Sequence, residues 1–93
     1  MYYRVTHLQF DATKRDEFYA QADQSREQMQ QLTGIQLVHT IEIAEGTVIV
    51  LARYETEDQA NAAAPKVREI LGGMARFFTA PPSMQQGPVT WSM

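Results

Sequence analysis

Ninety-three residues suffice for one small domain spanning 1–93, which on the usual scaling hides only about 60–65% of its unfolded surface, so a second copy would add to a thin core. Eleven acidic against eight basic side chains give a net charge of -3 with no basic stripe along the chain, which argues against a nucleic-acid partner, since that requires clustered cations. The absence of cysteine excludes a disulfide framework and thiolate metal sites, and two histidines with no third ligand at a recognisable spacing offer no metal centre.

From the N-terminus, Tyr3, Val5, His7 and Gln9 alternate with Arg4, Thr6, Leu8 and Phe10, which predicts a strand over Tyr2 to Phe10 that stops at Asp11. Asp11 or Thr13 can cap the next helix, and Asp16 and Glu17 place negative charge where the helix dipole favours it. Phe18, Ala22, Ser25, Met29 and Leu32 then recur at spacings of three and four, giving one apolar stripe. Gly34, as a left-handed residue just past the helix, ends it.

Ile35 to Tyr54 reads as a β-hairpin turning at Glu45-Gly46. With those two residues at the centre, Ile43 faces Val48, Ile41 faces Val50, His39 faces Ala52 and Leu37 faces Tyr54, on a surface that is apolar apart from His39 and the Tyr54 hydroxyl. The other surface carries Gln36, Val38, Thr40, Glu42, Ile49, Leu51 and Arg53. That set is too aliphatic for plain exposure.

Thr56 opens a second helix with a Thr-x-x-Gln capping box completed by Gln59, and Ala60, Ala63 and Ala64 supply small inward residues. Pro65 is expected to break this helix in two, because a mid-helix proline costs about 3 kcal/mol. Val67, Ile70, Leu71, Met74, Phe77 and Phe78 form the apolar face of the second piece, with Gly72-Gly73 inside it. Ala80-Pro81-Pro82-Ser83 ends it, Met84 to Gly87 connects, and Pro88 to Met93 is the expected last strand. The order is strand, helix, strand, strand, helix, strand: an α+β, ferredoxin-like βαββαβ fold with a four-stranded antiparallel sheet and its helices on one face. The uncovered face predicts a homodimer packed sheet to sheet, through Val5, His7, Val38, Ile49, Leu51 and Arg53.

Three stretches carry a resemblance to a known family: Arg53-Tyr54-Glu55, Ala64-Pro65-Lys66-Val67, and Phe77-Phe78-Thr79-Ala80-Pro81-Pro82. In this order they resemble the antibiotic biosynthesis monooxygenase-like branch of the dimeric α/β-barrel proteins, over nearly the whole chain. The resemblance implies a dimeric barrel of two ferredoxin-like protomers, each with a small-molecule pocket between sheet and helices. It also implies a range of activities that includes cofactor-free oxygenation of aromatic and quinol compounds and haem degradation. Haem-degrading members carry an Asn, a Trp and a His at places where this chain holds Thr6, Tyr54 and Lys66. A lysine ammonium cannot replace an axial imidazole. Neither haem nor another cofactor is therefore carried over.

Within that frame His39 is the candidate base, because small Ala52 opposite it leaves room for an imidazole and a ligand; the alternative is a core histidine bonded to a backbone carbonyl. Tyr54 is the candidate donor to a substrate oxygen, with Thr6 beside it, or else a seal on the core. Leu37, Ala52, Lys66, Met74, Phe77 and Trp91 are expected to line the pocket with Thr6, the other reading of Trp91 being a core plug. The expected ligand is a small apolar or aromatic molecule. Alternatives to an oxygenase are a non-catalytic ligand-binding or assembly module and a small isomerase or lyase that uses His39. No run long enough to span a bilayer and no charged-then-apolar leader pattern is present, so no membrane partner is expected and the cytoplasm is the expected location.

Overall fold

The computed structural model describes all residues, Met1–Met93. Four antiparallel strands, β1 (Tyr2–Gln9), β2 (Ile35–Ala44), β3 (Thr47–Tyr54) and β4 (Ser83–Pro88), lie in the order β2-β3-β1-β4, with helices α1 (Arg15–Gln30) and α2 (Glu57–Gly72) between them in the chain. β1 pairs with both β3 and β4, so its even residues Tyr2, Arg4, Thr6 and Leu8 are buried beneath the helices while Tyr3, Val5 and His7 face away. Asp11 caps a short 3₁₀ turn, Ala12–Lys14, by accepting from Thr13 N at 3.0 Å and Thr13 Oγ1 at 2.7 Å. That turn feeds α1, which buries Phe18 and Ser25.

The hairpin does not keep the expected register. Ala44 pairs with Thr47, but Glu42 then pairs with Val48, and a second shift separates Leu37–Arg53 from Ile35–Tyr54. Each shift inserts one extra residue into β2, Ile43 and then Gln36, as a β-bulge does, and one extra residue turns every following side chain to the other face. Between the bulges Val38, Thr40 and Glu42 therefore point toward the helices, opposite Ala52, Val50 and Val48, while Leu37, His39 and Ile41 face outward opposite Arg53, Leu51 and Ile49. The expectation for β3 matches the burial of Val48, Ala52 and Tyr54; for the middle of β2 it is inverted.

Nor does Pro65 break α2. The helix runs from its Thr56 cap, whose Oγ1 accepts from Gln59 N at 3.2 Å, through Pro65 to Gly72. Only one backbone donor is lost at a proline, and Pro65 and Asn61 are both exposed, so water can serve the Asn61 carbonyl instead. Helix α2 stops where two successive glycines make helix dearest, rather than running on to Phe78. The chain then passes a 3₁₀ turn, Ala75–Phe77, and lies along the end of β1: Asp11 N donates to the Phe77 carbonyl and Thr79 N to the Gln9 carbonyl, each at 2.9 Å.

The last strand is also displaced from its expected place. Ser83 to Pro88 pair with β1, and Val89 to Met93 leave the sheet. Ser, Gln and Met are weak strand formers, but pairing with an already formed β1 outweighs propensity here. Pro88 sits on an edge strand, where its missing N–H is tolerated.

Two apolar clusters fill the space between sheet and helices. One joins Tyr2, Leu32, Ala52, Tyr54, Ala60, Ala63 and Ile70. The other joins Leu8, Phe10, Phe18, Val48, Met74 and Phe77, with the Phe10 and Phe18 rings stacked at 4.1 Å. No helix is long and apolar enough to cross a membrane.

Candidate functional site

Between the two clusters lies a cavity of about 90 Å³, lined by residues of both. β1 and β3 supply its floor, and small Ala52, opposite Arg4 on one side and Val38 on the other, leaves the space open. Its wall is apolar apart from Arg4, Thr6, Thr40 and the hydroxyls of Tyr19 and Tyr54.

Arg4 lies in the core-facing register of β1 and is only 3% exposed. Its Nη1 donates to Tyr54 Oη at 2.8 Å and its Nη2 to the Ala60 carbonyl at 2.7 Å. Tyr54 is fully buried, and that burial pushes its phenol above the ordinary tyrosine pKa against the pull of the Arg4 charge and hydrogen bond. Tyr54 is therefore a neutral donor at physiological pH. Guanidinium and phenol together form one polar pole in an otherwise greasy chamber.

A wider groove of about 600 Å³ runs outside, between α1 and the free edge of β2. Tyr19, Ala22, Met29, Val38 and Thr40 line both groove and cavity and so form the partition between them. At its rim Tyr19 Oη donates to Glu42 Oε1 at 2.9 Å, and Arg15 Nε donates to the same oxygen at 3.0 Å. Glu42 reaches them because the bulge turned it inward. The Tyr19 hydrogen bond, with the Arg15 charge behind it, holds the Glu42 carboxyl below its ordinary pKa, while burial and then the Glu42 contact raise that of Tyr19.

Of the residues expected at a pocket, Tyr54, Thr6, Ala52 and Met74 line this cavity. His39 does not: the bulge at Ile43 carries it to the outer face opposite Leu51, where it is exposed. Leu37 also turns outward and touches only the groove, whereas Val38, expected on the outer face, lines the cavity. Phe77 is sealed in the second cluster, and Lys66 lies outside the cavity, 3.4 Å from Glu69. Trp91 is 79% exposed beyond β4, neither plug nor pocket wall. Val5, His7, Ile49, Leu51 and Arg53 share the outer sheet face, where Arg53 Nε donates to Gln36 Oε1 at 2.9 Å. Arg4 and the Tyr19–Glu42–Arg15 set were not singled out from sequence. For Arg4 the signal was present, since it alternates in step with Thr6, Leu8 and Phe10.

No three His, Cys, Asp or Glu side chains come together as a metal site. No imidazole or thiol lines the cavity, and its volume of about 90 Å³ is below the roughly 150 Å³ that accommodates a single benzene ring, so a haem macrocycle does not fit. Chemically the site can desolvate a ring and hold an oxygen on paired N–H and O–H donors; it has no side chain suited to take a proton.

No protein-family profile matches the sequence, and no curated protein matches it. Solved structures do share the fold. A monooxygenase from the gene ActVA-Orf6 of Streptomyces coelicolor, in complex with nanaomycin D, superposes with a TM-score of 0.79 at 15% identity, covering 99% of this chain and 89% of that one. A Bordetella bronchiseptica protein described as a candidate antibiotic biosynthesis monooxygenase gives 0.80 at 16% identity over 97% of both chains. A Nitrosomonas europaea protein of unknown function gives 0.80 at 10% identity, over 99% of this chain and 91% of that one. TM-scores of this size show the shared ferredoxin-like fold, and at these identities the fold alone.

Proposed function

We propose that this chain forms a homodimer that binds a small aromatic or quinol molecule in the cavity between sheet and helices and oxygenates it without a cofactor. The observation that carries this reading is the cavity itself: apolar walls around a buried Arg4–Tyr54 pole, the composition expected of a small-molecule site. A Streptomyces coelicolor monooxygenase with the same fold, solved with nanaomycin D, supports it.

In the proposed reaction the electron-rich anion of the substrate adds O2 at a ring carbon. The peroxide anion takes up a proton from solvent, balancing the one the substrate gave up on ionising, and the resulting hydroperoxide loses water with the hydrogen of that carbon and leaves a new carbonyl. One oxygen atom enters the product and the other leaves as water, so no external reductant is needed. Tyr54 and Thr6 would hold the developing oxyanion. His39, on the outer face, has no part in this scheme, and the isomerase or lyase reading, which needed it as a base, falls away. The lack of any base among the lining residues favours a second reading, a ligand-binding module that performs no chemistry.

Oxygen uptake with a panel of quinols separates the two. An oxygenase consumes one O2 per product, loses at least about ten-fold in rate when Ala52→Leu fills the cavity, and is indifferent to His39→Ala. Binding without uptake selects the module. Uptake that survives Ala52→Leu sinks the cavity assignment.

The homodimer rests on the outer face of the sheet, where half-buried Val5, Ile49 and Leu51 adjoin Ile41, itself 47% exposed. Packing two such faces removes a contiguous apolar patch from water. The protein is expected to sediment at twice the chain mass, and Leu51→Glu to halve it; a single-chain species at micromolar concentration would contradict the assembly.

A further inference from the structure

Arg4 is the only charged residue among the 17 that line the cavity, and it belongs to none of the three ion pairs in the molecule. Its neighbours across the strands are Ala52 and Gln86, both neutral, and the groups it contacts are a phenol and a backbone carbonyl. A guanidinium stays protonated at any physiological pH and carries five N–H donors, of which two are spent here. The guanidinium lies 5.2 Å from the centre of the Tyr54 ring, yet a buried charge with no group of opposite sign beside it remains costly, and ordinary cores avoid it. Glu42, the acidic side chain that β2 turns toward the helices, is occupied elsewhere: its Oε1 accepts from Tyr19 and Arg15. No side chain in the lining supplies the negative charge that would balance Arg4.

We infer that the cavity receives an aromatic acid as its anion, with the ionised oxygen resting on the free N–H groups of Arg4 and on the Tyr54 hydroxyl. This deepens the small-molecule reading above and rests on it. Tyr54 accepts from Arg4 through its oxygen, so its own proton remains available to a ligand. The geometry also sets the ligand's shape. An engineered apolar cavity of about 150 Å³ accommodates benzene, whereas the partly open cavity here is about 90 Å³. The acidic end and part of one ring fit inside, and the remainder extends through the partition, where the flexible Met29 thioether can yield, into the outer groove. A molecule that enters already ionised needs no base at the site, which is consistent with the lack of any imidazole or carboxylate in the lining.

The test uses three probes of one size with the whole protein: 4-nitrophenol, 4-nitrobenzoate and 4-nitroanisole, the last unable to ionise. Equilibrium dialysis above the acidity constant of the phenol gives affinities, and the visible phenolate band followed against pH gives the acidity of bound 4-nitrophenol. Besides Arg4, only Tyr19 and Tyr54 among the lining residues titrate, and both are held neutral across the working range. The inference predicts that an anionic probe binds roughly ten- to hundred-fold more tightly than the ether. Bound 4-nitrophenol should ionise at a proton concentration at least about ten-fold higher than in solution. Preference for phenolate or for carboxylate identifies which acid the site is built for. Arg4→Met should abolish the preference while 4-nitroanisole still binds. Tyr54→Phe should weaken it without removing it. Equal affinity for ether and anions in the wild-type protein overturns the inference and leaves the small-molecule site standing, whether or not Arg4→Met folds. Binding of none of the three overturns both.

Discussion

Arg4 and Glu42 are both charged side chains turned toward the helices, and they differ in what surrounds them. Arg4 has only neutral partners, whereas Glu42 accepts from Tyr19 and Arg15 at the molecule's edge. The Glu42 contacts have a measurable consequence. Its carboxyl titrates lower in the folded protein than in the unfolded chain, first through the Tyr19 hydrogen bond and then through Arg15. A group of this kind contributes stability that is complete above its unfolded pKa and is lost as pH falls through the folded one. Thermal melts from neutral pH into the acid range should therefore show a steeper loss for wild type than for Glu42→Gln, with the two curves converging at the acid end. Parallel curves would mean that the Tyr19–Glu42–Arg15 contact is not made in solution. At this scale the sequence was legible wherever alternation held: Thr6, Ala52 and Tyr54 could be placed on one surface from period two alone. Arg4 occupied the same surface by the same rule and went unnoticed, because a charge in a strand is ordinarily assigned to solvent and its lack of a counter-ion is a three-dimensional fact.

At the level of elements, what sequence could not supply is the length of the pairing. The hairpin, its turn at Gly46 with φ +75°, and the terminator Gly34 with φ +70° follow from residue chemistry. The two extra residues in β2 do not, since Ile43 and Gln36 look like any other members of an alternating run, and a bulge is decided by the strands on both sides. Their effect is large for function. The first bulge exchanges His39 for Val38 at the cavity and brings Glu42 to Tyr19. The second restores Ile35 to the core beside Tyr54. Pro65 and Gly72-Gly73 teach the complementary lesson. Propensity predicted an interruption at Pro65, but one lost hydrogen bond on an exposed face is a local cost that packing of Ala60, Ala63 and Ile70 against the sheet outweighs. Two consecutive glycines, followed by Met74 and Phe77 that both enter the second cluster, do end the helix.

For the whole molecule, a single sheet is asked to do two things. Its inner face, with α1 and α2, borders a chamber whose polar pole is Arg4 and Tyr54; its outer face leaves Val5, Ile49 and Leu51 half-buried, the surface on which the proposed homodimer rests. The βαββαβ order follows from the succession of periodicities, and the shared fold of the Streptomyces coelicolor and Bordetella bronchiseptica proteins agrees with it at identities of 15% and 16%. Which residues line the cavity depends on the phase of every strand, and there β2 misled. The most direct measurement is a nuclear magnetic resonance titration of the protein with 4-nitrophenol, following backbone amides together with the Arg4 Nε–H. The account predicts that the Arg4 Nε–H and the amides of Thr6, Val38 and Ala52 move together and saturate, while those of His39, Ile49 and Leu51 stay in place. Saturable shifts confined to His39, Ile49 and Leu51 would put the ligand on the outer face and contradict it.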